Sequence, residues 1–183
     1  VNSTAISRSL RTHPLWEYAL ALYSSDGVEA SCLVLQDEGG TDVCELLWLC
    51  WLNRHGLTTT EDIEGHLAAV RQWQADMTHP LRHRRRTLKE ATKNQASRAE
   101  LRQALKHAEL LAEREALLLL QDLAEHGGGT RLLHQEDPPL SRRLAQWLPH
   151  PKECLSRSLE EALMTLSMTS TVLTLPPSRA SLN

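Results

Sequence analysis

The chain has 183 residues and a formal net charge of −3, enough length for one apolar core without disulfide or metal staples. Leucine dominates, with 35 Leu against 6 Val, 2 Ile and no Phe, a balance that suits helices and argues against a sheet protein. The longest uncharged apolar run, Leu46–Leu52, falls far short of the ~20 residues of a membrane-crossing helix.

Residues 1–13 and 169–183 are rich in Ser, Thr and Pro and are expected to be disordered. The opening VNSTAISRSLRTH lacks the apolar stretch of a secretory signal. Between the ends, six or seven helices are expected, as a compact all-α bundle with a core over 14–126 and a C-terminal helical pair over 130–168 packed on it. The first helix runs from Pro14 to about Ser24 on a Leu15, Tyr18/Ala19, Leu22 stripe. Asp26 is expected to cap the second, which carries Val28, Cys32 and Leu35 and stops at Gly39-Gly40. A third, near 42–55, has Glu45 as its only charge between Val43 and Leu52. A helix that apolar all round belongs at the centre.

Thr58 and Glu61 fit a capping box that would open a fourth helix through Ile63, Leu67, Val70 and Trp73, interrupted at Pro80. A basic helix follows to about Asn94. A long helix then runs from Ser97 to the triple glycine Gly127–Gly129, with Leu101, Leu105, Ala108, Leu111/Ala112 and Leu118/Leu119 read as inward. The glycines are the one candidate joint. Beyond them a short helix ends near Leu148. Pro149 and Pro151 separate it from a last helix carrying Leu155, Leu159, Leu163 and Leu166.

Charge is unevenly spread. Residues 14–79 carry a net −9 and residues 80–114 a net +6, which suggests either internal complementarity or two partner surfaces. Cys32, Cys44, Cys50 and Cys154 show no CxxC spacing and read as packing residues of a reducing, cytoplasmic protein. The five tryptophans read as core.

The stretch Leu15–Leu52 resembles the N-terminal signature of a proteobacterial family known as domain of unknown function 2390. The shared residues are Leu15-Trp16, Tyr23, Gly27-Val28, Cys32-Leu33, Leu35-Gln36-Asp37, Asp42-Val43 and Cys50-Trp51-Leu52. Pro80-Leu81-Arg82, Arg85-Arg86, Leu88-Lys89, Ala108-Glu109-Leu110 and Ala112-Glu113-Arg114 extend the likeness, which covers roughly 14–120. Cys44 stands where the family usually has Asn. The resemblance implies a bacterial cytoplasmic helical protein and supplies no mechanism.

Among candidate sites, the basic helix is the strongest. At 100° per residue, Arg82, Arg86, Lys89 and Lys93 fall on one narrow stripe that could track phosphates, or could be an ordinary solvated face. Arg85 shares the Leu81/Leu88 face instead and needs an acidic partner if that face turns inward; Asp37 and Asp42 are the expected partners. Those two aspartates flank the Gly39-Gly40 turn and are also the only candidate acid/base pair, although a cap and an ion pair explain them more simply. His79 and His83 have zinc-helix spacing, but three arginines follow and no third ligand is evident. No P-loop and no nucleophile elbow occurs. The expectation is a non-catalytic protein-interaction or regulatory module with an unknown protein partner and no metal or cofactor. Binding of nucleic acid or an anionic surface is the first alternative, and an enzyme using Asp37 and Asp42 the second.

Overall fold

The computed structural model describes residues 3–91, 96–149 and 155–174. Helix α1 (Ser3–Thr12) leads to Pro14, whose φ of −57° sets up α2 (Leu15–Tyr23). Gly27, left-handed at φ 77°, starts α3 (Val28–Asp37); it takes the place expected for Asp26, and no side chain caps that end. After Gly40, also left-handed, Asp42 caps α4 (Val43–Arg54), its Oδ1 accepting from the Glu45 N–H at 3.2 Å.

Every residue from Cys44 to Leu52 is buried, with Trp48 and Trp51 fully enclosed. α4 is therefore the central helix of an all-α fold, as its lack of a polar face predicts. Large apolar side chains buried this completely each contribute about 1.5–3 kcal/mol. The Trp51 indole also donates to the His13 carbonyl at 2.8 Å, so the middle of α4 holds the start of α2 in place.

The chain after α4 departs from the expected helix. Strand β1 (Leu57–Thr59) pairs antiparallel with β2 (Thr130–Leu132), Thr58 opposite Arg131. The capping box expected of Thr58 and Glu61 gives way to this pairing, because three consecutive threonines are poor helix formers and extend instead. Helix begins only at α5 (Ile63–His66) and continues through α6 (Ala68–Trp73). The triple glycine leads into this ladder: Gly129 takes a left-handed φ of 63°, and a Cβ there would also crowd the side chains of Ile63 and His66.

Pro80 does not break the path. A π-helical turn, Gln74–Thr78, runs directly into α7 (His79–Ala91) and holds the ladder irregularity that a residue without an N–H brings. The long helix α8 (Ala96–Glu125) buries Glu109, Ala112, Ala116, Leu117, Leu120 and Ala124. Leu101, Leu111 and Leu118, expected inside, lie on its open side at 52%, 50% and 43% exposure. The alanine-rich face is inward because it allows α8 to approach the bulky α4, a choice that counting leucines misses.

Helix α9 (Leu140–Gln146) is tied to the ladder end by Arg143, which donates to Thr58 Oγ1 at 3.1 Å and also to Asn53. Helix α10 (Arg157–Val172) lies along α3, its Leu159, Leu163 and Leu166 buried, and Ser170 meets the Tyr18 hydroxyl at 2.8 Å. Cys154, Pro151 and residues 175–183 of the expected tail lie outside the described residues.

The N-terminal segment, expected to be disordered, is helical from Ser3 because it has somewhere to dock. Leu10 is fully buried, Arg11 Nε reaches Glu125 at 2.8 Å, and Ser9 Oγ meets His55 Nδ1 at 3.0 Å. Burial chiefly, then His13 and Arg54, pushes the His55 ring down from its ordinary 6.5 to about 4. Between those values the unfolded ring binds a proton that the folded one refuses, so the stability present above 6.5 is lost as pH falls toward 4. Urea midpoints at about pH 7 and about pH 5 should therefore differ, and His55→Gln should shrink that difference.

Candidate functional site

The basic helix packs two of its arginines inward. The α7 residue Arg82 donates from Nε to Glu109 Oε1 at 2.9 Å and from Nη2 to Glu113 Oε1 at 2.6 Å. Arg85 holds the same Glu109 through Nε and, at 3.1 Å, through Nη2. Glu109 is buried, and only 13% and 22% of the two arginine side chains remain exposed. Burial alone would raise the Glu109 carboxyl, but Arg85 and Arg82 hold it below the usual carboxylate range. Burial of Glu113 wins over Arg82 and pushes its carboxyl up.

Arg85 therefore has Glu109 as its partner, where Asp37 or Asp42 was expected. The reason is geometric: α7 lies against α8, and Glu109 presents both oxygens to one face of α7. Asp37 instead accepts from Arg86 Nη2 at 2.9 Å near the surface, and Asp42 is engaged elsewhere. The two aspartates thus have separate partners. Of the stripe residues, Arg82 is half-buried in the ion cluster, Arg86 is paired, Lys89 is exposed, and Lys93 lies outside the described residues.

A second polar centre lies beneath the Gly39-Gly40 turn. Glu45, the lone charge of α4 between Val43 and Leu52, is buried and accepts a two-pronged contact from Arg71 of α6, Nε to Oε1 at 2.9 Å and Nη2 to Oε2 at 3.0 Å. The Trp147 indole, at the end of α9, adds a third bond to Oε2 at 2.6 Å. Arg71 also reaches Glu64. Glu45 and Glu64 together hold the guanidinium well above its ordinary range, Glu45 the larger influence.

These side chains border a cleft of about 620 Å³, whose floor and walls include Thr41, Asp42, Gln74, His79 and Trp147. Asp42 uses Oδ1 for the α4 cap, while Oδ2 faces His79 Nε2 at 3.8 Å. Burial works against its charge, yet His79, the Glu45 N–H and the nearby Gln74 amide keep its carboxyl below the usual range. Gln74 Nε2 and Thr41 Oγ1 are buried without any partner of hydrogen-bonding geometry.

Glu45, Arg71, Gln74 and Trp147 were not singled out in the sequence. A usable signal was present for Glu45, because a single charge in an otherwise apolar central helix must find a partner. Nucleophilic cysteine chemistry gains no support, since burial pushes the Cys32 and Cys50 thiols up to about 12 and Cys44 well above its ordinary value. Among the described residues no cluster of His, Cys, Asp and Glu has the arrangement of a metal site, and no helix is long and apolar enough to cross a membrane.

Residues 14–120 match the family model described as protein of unknown function (DUF2390). The chain belongs to this family. Searches of curated proteins and of solved structures find no match. The family span contains both ion clusters' acidic centres, Glu45 and Glu109, and the cleft residues up to His79, whereas Trp147 on α9 lies beyond it.

The two kinds of ion pair should respond differently to neutralisation. Glu109→Gln leaves two largely buried guanidinium groups short of charge and is expected to cost about 3 kcal/mol or more. Asp37→Asn, which breaks a half-exposed pair, should cost under about 1 kcal/mol. Chemical denaturation of both variants measures this directly, and equal losses would contradict the buried-cluster account.

Proposed function

We propose that this member of the family is a non-catalytic protein-interaction or regulatory module of the bacterial cytoplasm, and that α8 presents its partner surface. The observation that carries the reading is the open apolar edge of α8. Leu101, Leu111 and Leu118 are about half exposed there, with Ala104 and Ala108 between them. The positions 101, 104, 108, 111 and 118 follow the alternating three- and four-residue spacing of a coiled-coil seam, interrupted by Glu115. An apolar stripe of that period suits an amphipathic helix of a partner protein. Free thiols at Cys32, Cys44 and Cys50 suit a reducing compartment.

Binding of nucleic acid or an anionic surface through Arg82, Arg86, Lys89 and Lys93 draws less support. Arg82 already satisfies Glu109 and Glu113, and Arg86 already faces Asp37, so fewer cations are available to phosphates. An enzyme built on Asp37 and Asp42 draws least, since one carboxylate pairs with an arginine and the other caps a helix.

The test is affinity capture of the tagged full chain from bacterial lysate, with and without nuclease, beside a Leu111→Glu/Leu118→Glu variant. A stoichiometric partner that survives nuclease and is lost with the double variant is the expected result. Both leucines are surface residues, so the variant should melt like the parent. Company that vanishes with nuclease, and again with Arg86→Glu/Lys89→Glu/Lys93→Glu, would transfer the function to the basic helix.

A further inference from the structure

His55, which closes α4, sits where the N-terminal helix meets the core, and its ring has no place for a second proton. Nδ1 is paired with Ser9 Oγ of α1 at 3.0 Å, while Nε2 is withdrawn from water and meets no partner. Trp51 lies edge-on to the ring with 5.0 Å between centroids, and the His13 ring is 6.2 Å away. Either tautomer of the neutral imidazole fits this setting. The imidazolium does not, because it carries an N–H at both nitrogens and Nε2 has nothing to donate to.

Charge works in the same direction. Of the elements around the ring, the α1–α2 link brings His13, α4 brings Arg54, and α1 brings Arg8 and Arg11. Glu125 of α8, the carboxylate at this junction, is already held by Arg11 at 2.8 Å and by Gln121 at 2.7 Å. A nitrogen with almost no accessible surface takes up a proton only when the fold opens over it, so proton uptake and opening are one event.

What opens is the element with least to hold it. Leu10 and Ile6 of α1 pack on the core, Ser7 and Arg11 reach Glu125, and Ser9 reaches His55. A helix of 10 residues is too short to persist by itself once these ties weaken. Trp51 belongs to the central helix and is fully buried, so the other side of the ring stays in place.

We propose that α1 is an acid-released latch: protonation of His55 undocks Ser3–Thr12 while the rest of the helical core stays folded, baring the seat of Leu10. A ring that titrates at 6.5 when released and at about 4 when docked weakens docking up to about 30-fold between about pH 7.5 and about pH 5. Docking is fully present above 6.5 and fades as pH falls toward 4. At about pH 5 ordinary carboxylates are still charged, so the fall belongs to the imidazole.

Amide hydrogen exchange of the full chain tests the latch, read by mass spectrometry at about pH 7.5 and about pH 5 and corrected for the intrinsic pH dependence of exchange. The expected result is a loss of protection of about tenfold or more over α1, with protection over α4 unchanged. The His55 ring signal, followed by NMR over the same range, should move together with that loss. His55→Gln is neutral at both values and can still bond Ser9, so it should abolish the pH dependence, whereas His13→Gln should keep it. Equal α1 protection at the two values, α4 losing protection along with α1, or a His55→Gln chain that still releases α1 in acid would each overturn the proposal. Were that substitution to prevent folding, the parent chain decides, since a ring signal that moves without loss of α1 protection also overturns it. None of these readouts involves Leu111 or Leu118, so the latch and the α8 surface stand or fall separately.

Discussion

A carboxylate inside the most apolar helix of the molecule organises much of what surrounds it. Glu45 is buried among the apolar residues of α4, its carboxylate almost wholly withdrawn from water. Leaving it charged without partners would cost several kcal/mol. The solution is a planar guanidinium from one side and an indole N–H from another: Arg71 on α6 and Trp147 at the end of α9. Two elements far apart in sequence are thereby fixed against the same turn of α4. The cleft is the space left between them. Its shape follows from satisfying Glu45 rather than from any element's own preference.

The same logic operates between α7 and α8. There the buried acid is Glu109, and two arginines converge on it. The contrast between an acidic first half and a basic middle suggested that the two blocks face each other. The Arg86–Asp37 contact runs that way, and it is half exposed. The principal acceptors, Glu109 and Glu113, belong to the basic block itself. Window charges sum over a helix without regard to its faces. A net of +6 therefore conceals two carboxylates placed on the single face that matters.

What could be read from the residues depended on how local its cause was. The centrality of α4, the Asp42 end of that helix and the stripes of α2, α3 and α10 follow from residues close in sequence, and these were legible. The β1–β2 pair was not, because it joins segments some seventy residues apart, and nothing near Thr58 in sequence announces Arg131 opposite it. α1 was missed because its apolar content is small, chiefly Ile6 and Leu10 in a Ser-rich stretch, and its helix depends on docking against α8 and His55. On α8 the expected stripe was right at Ala112 and Leu119 and wrong at Leu101, Leu111 and Leu118. Alanines at 112, 116 and 124 occupy the tight contact, and Leu101, Leu111 and Leu118 are left outside. Leu117 and Leu120 join those alanines on the buried face, so the contact mixes small and large side chains.

The candidate sites differ in how completely the fold has satisfied them. Both ionic clusters are complete: Glu45 and Glu109 each meet more than one donor, and no unmet charge is left on either carboxylate. Around the cleft the deficits fall on neutral groups, and Thr41, Gln74 and Thr78 gather where α4 begins and the π turn runs. Asp42 stands beside them, its Oδ1 taken by the Glu45 N–H and its Oδ2 facing His79 at 3.8 Å. The exposed leucines of α8 present a different case, an apolar edge at 101, 111 and 118 that the fold leaves uncovered and that Glu115 interrupts.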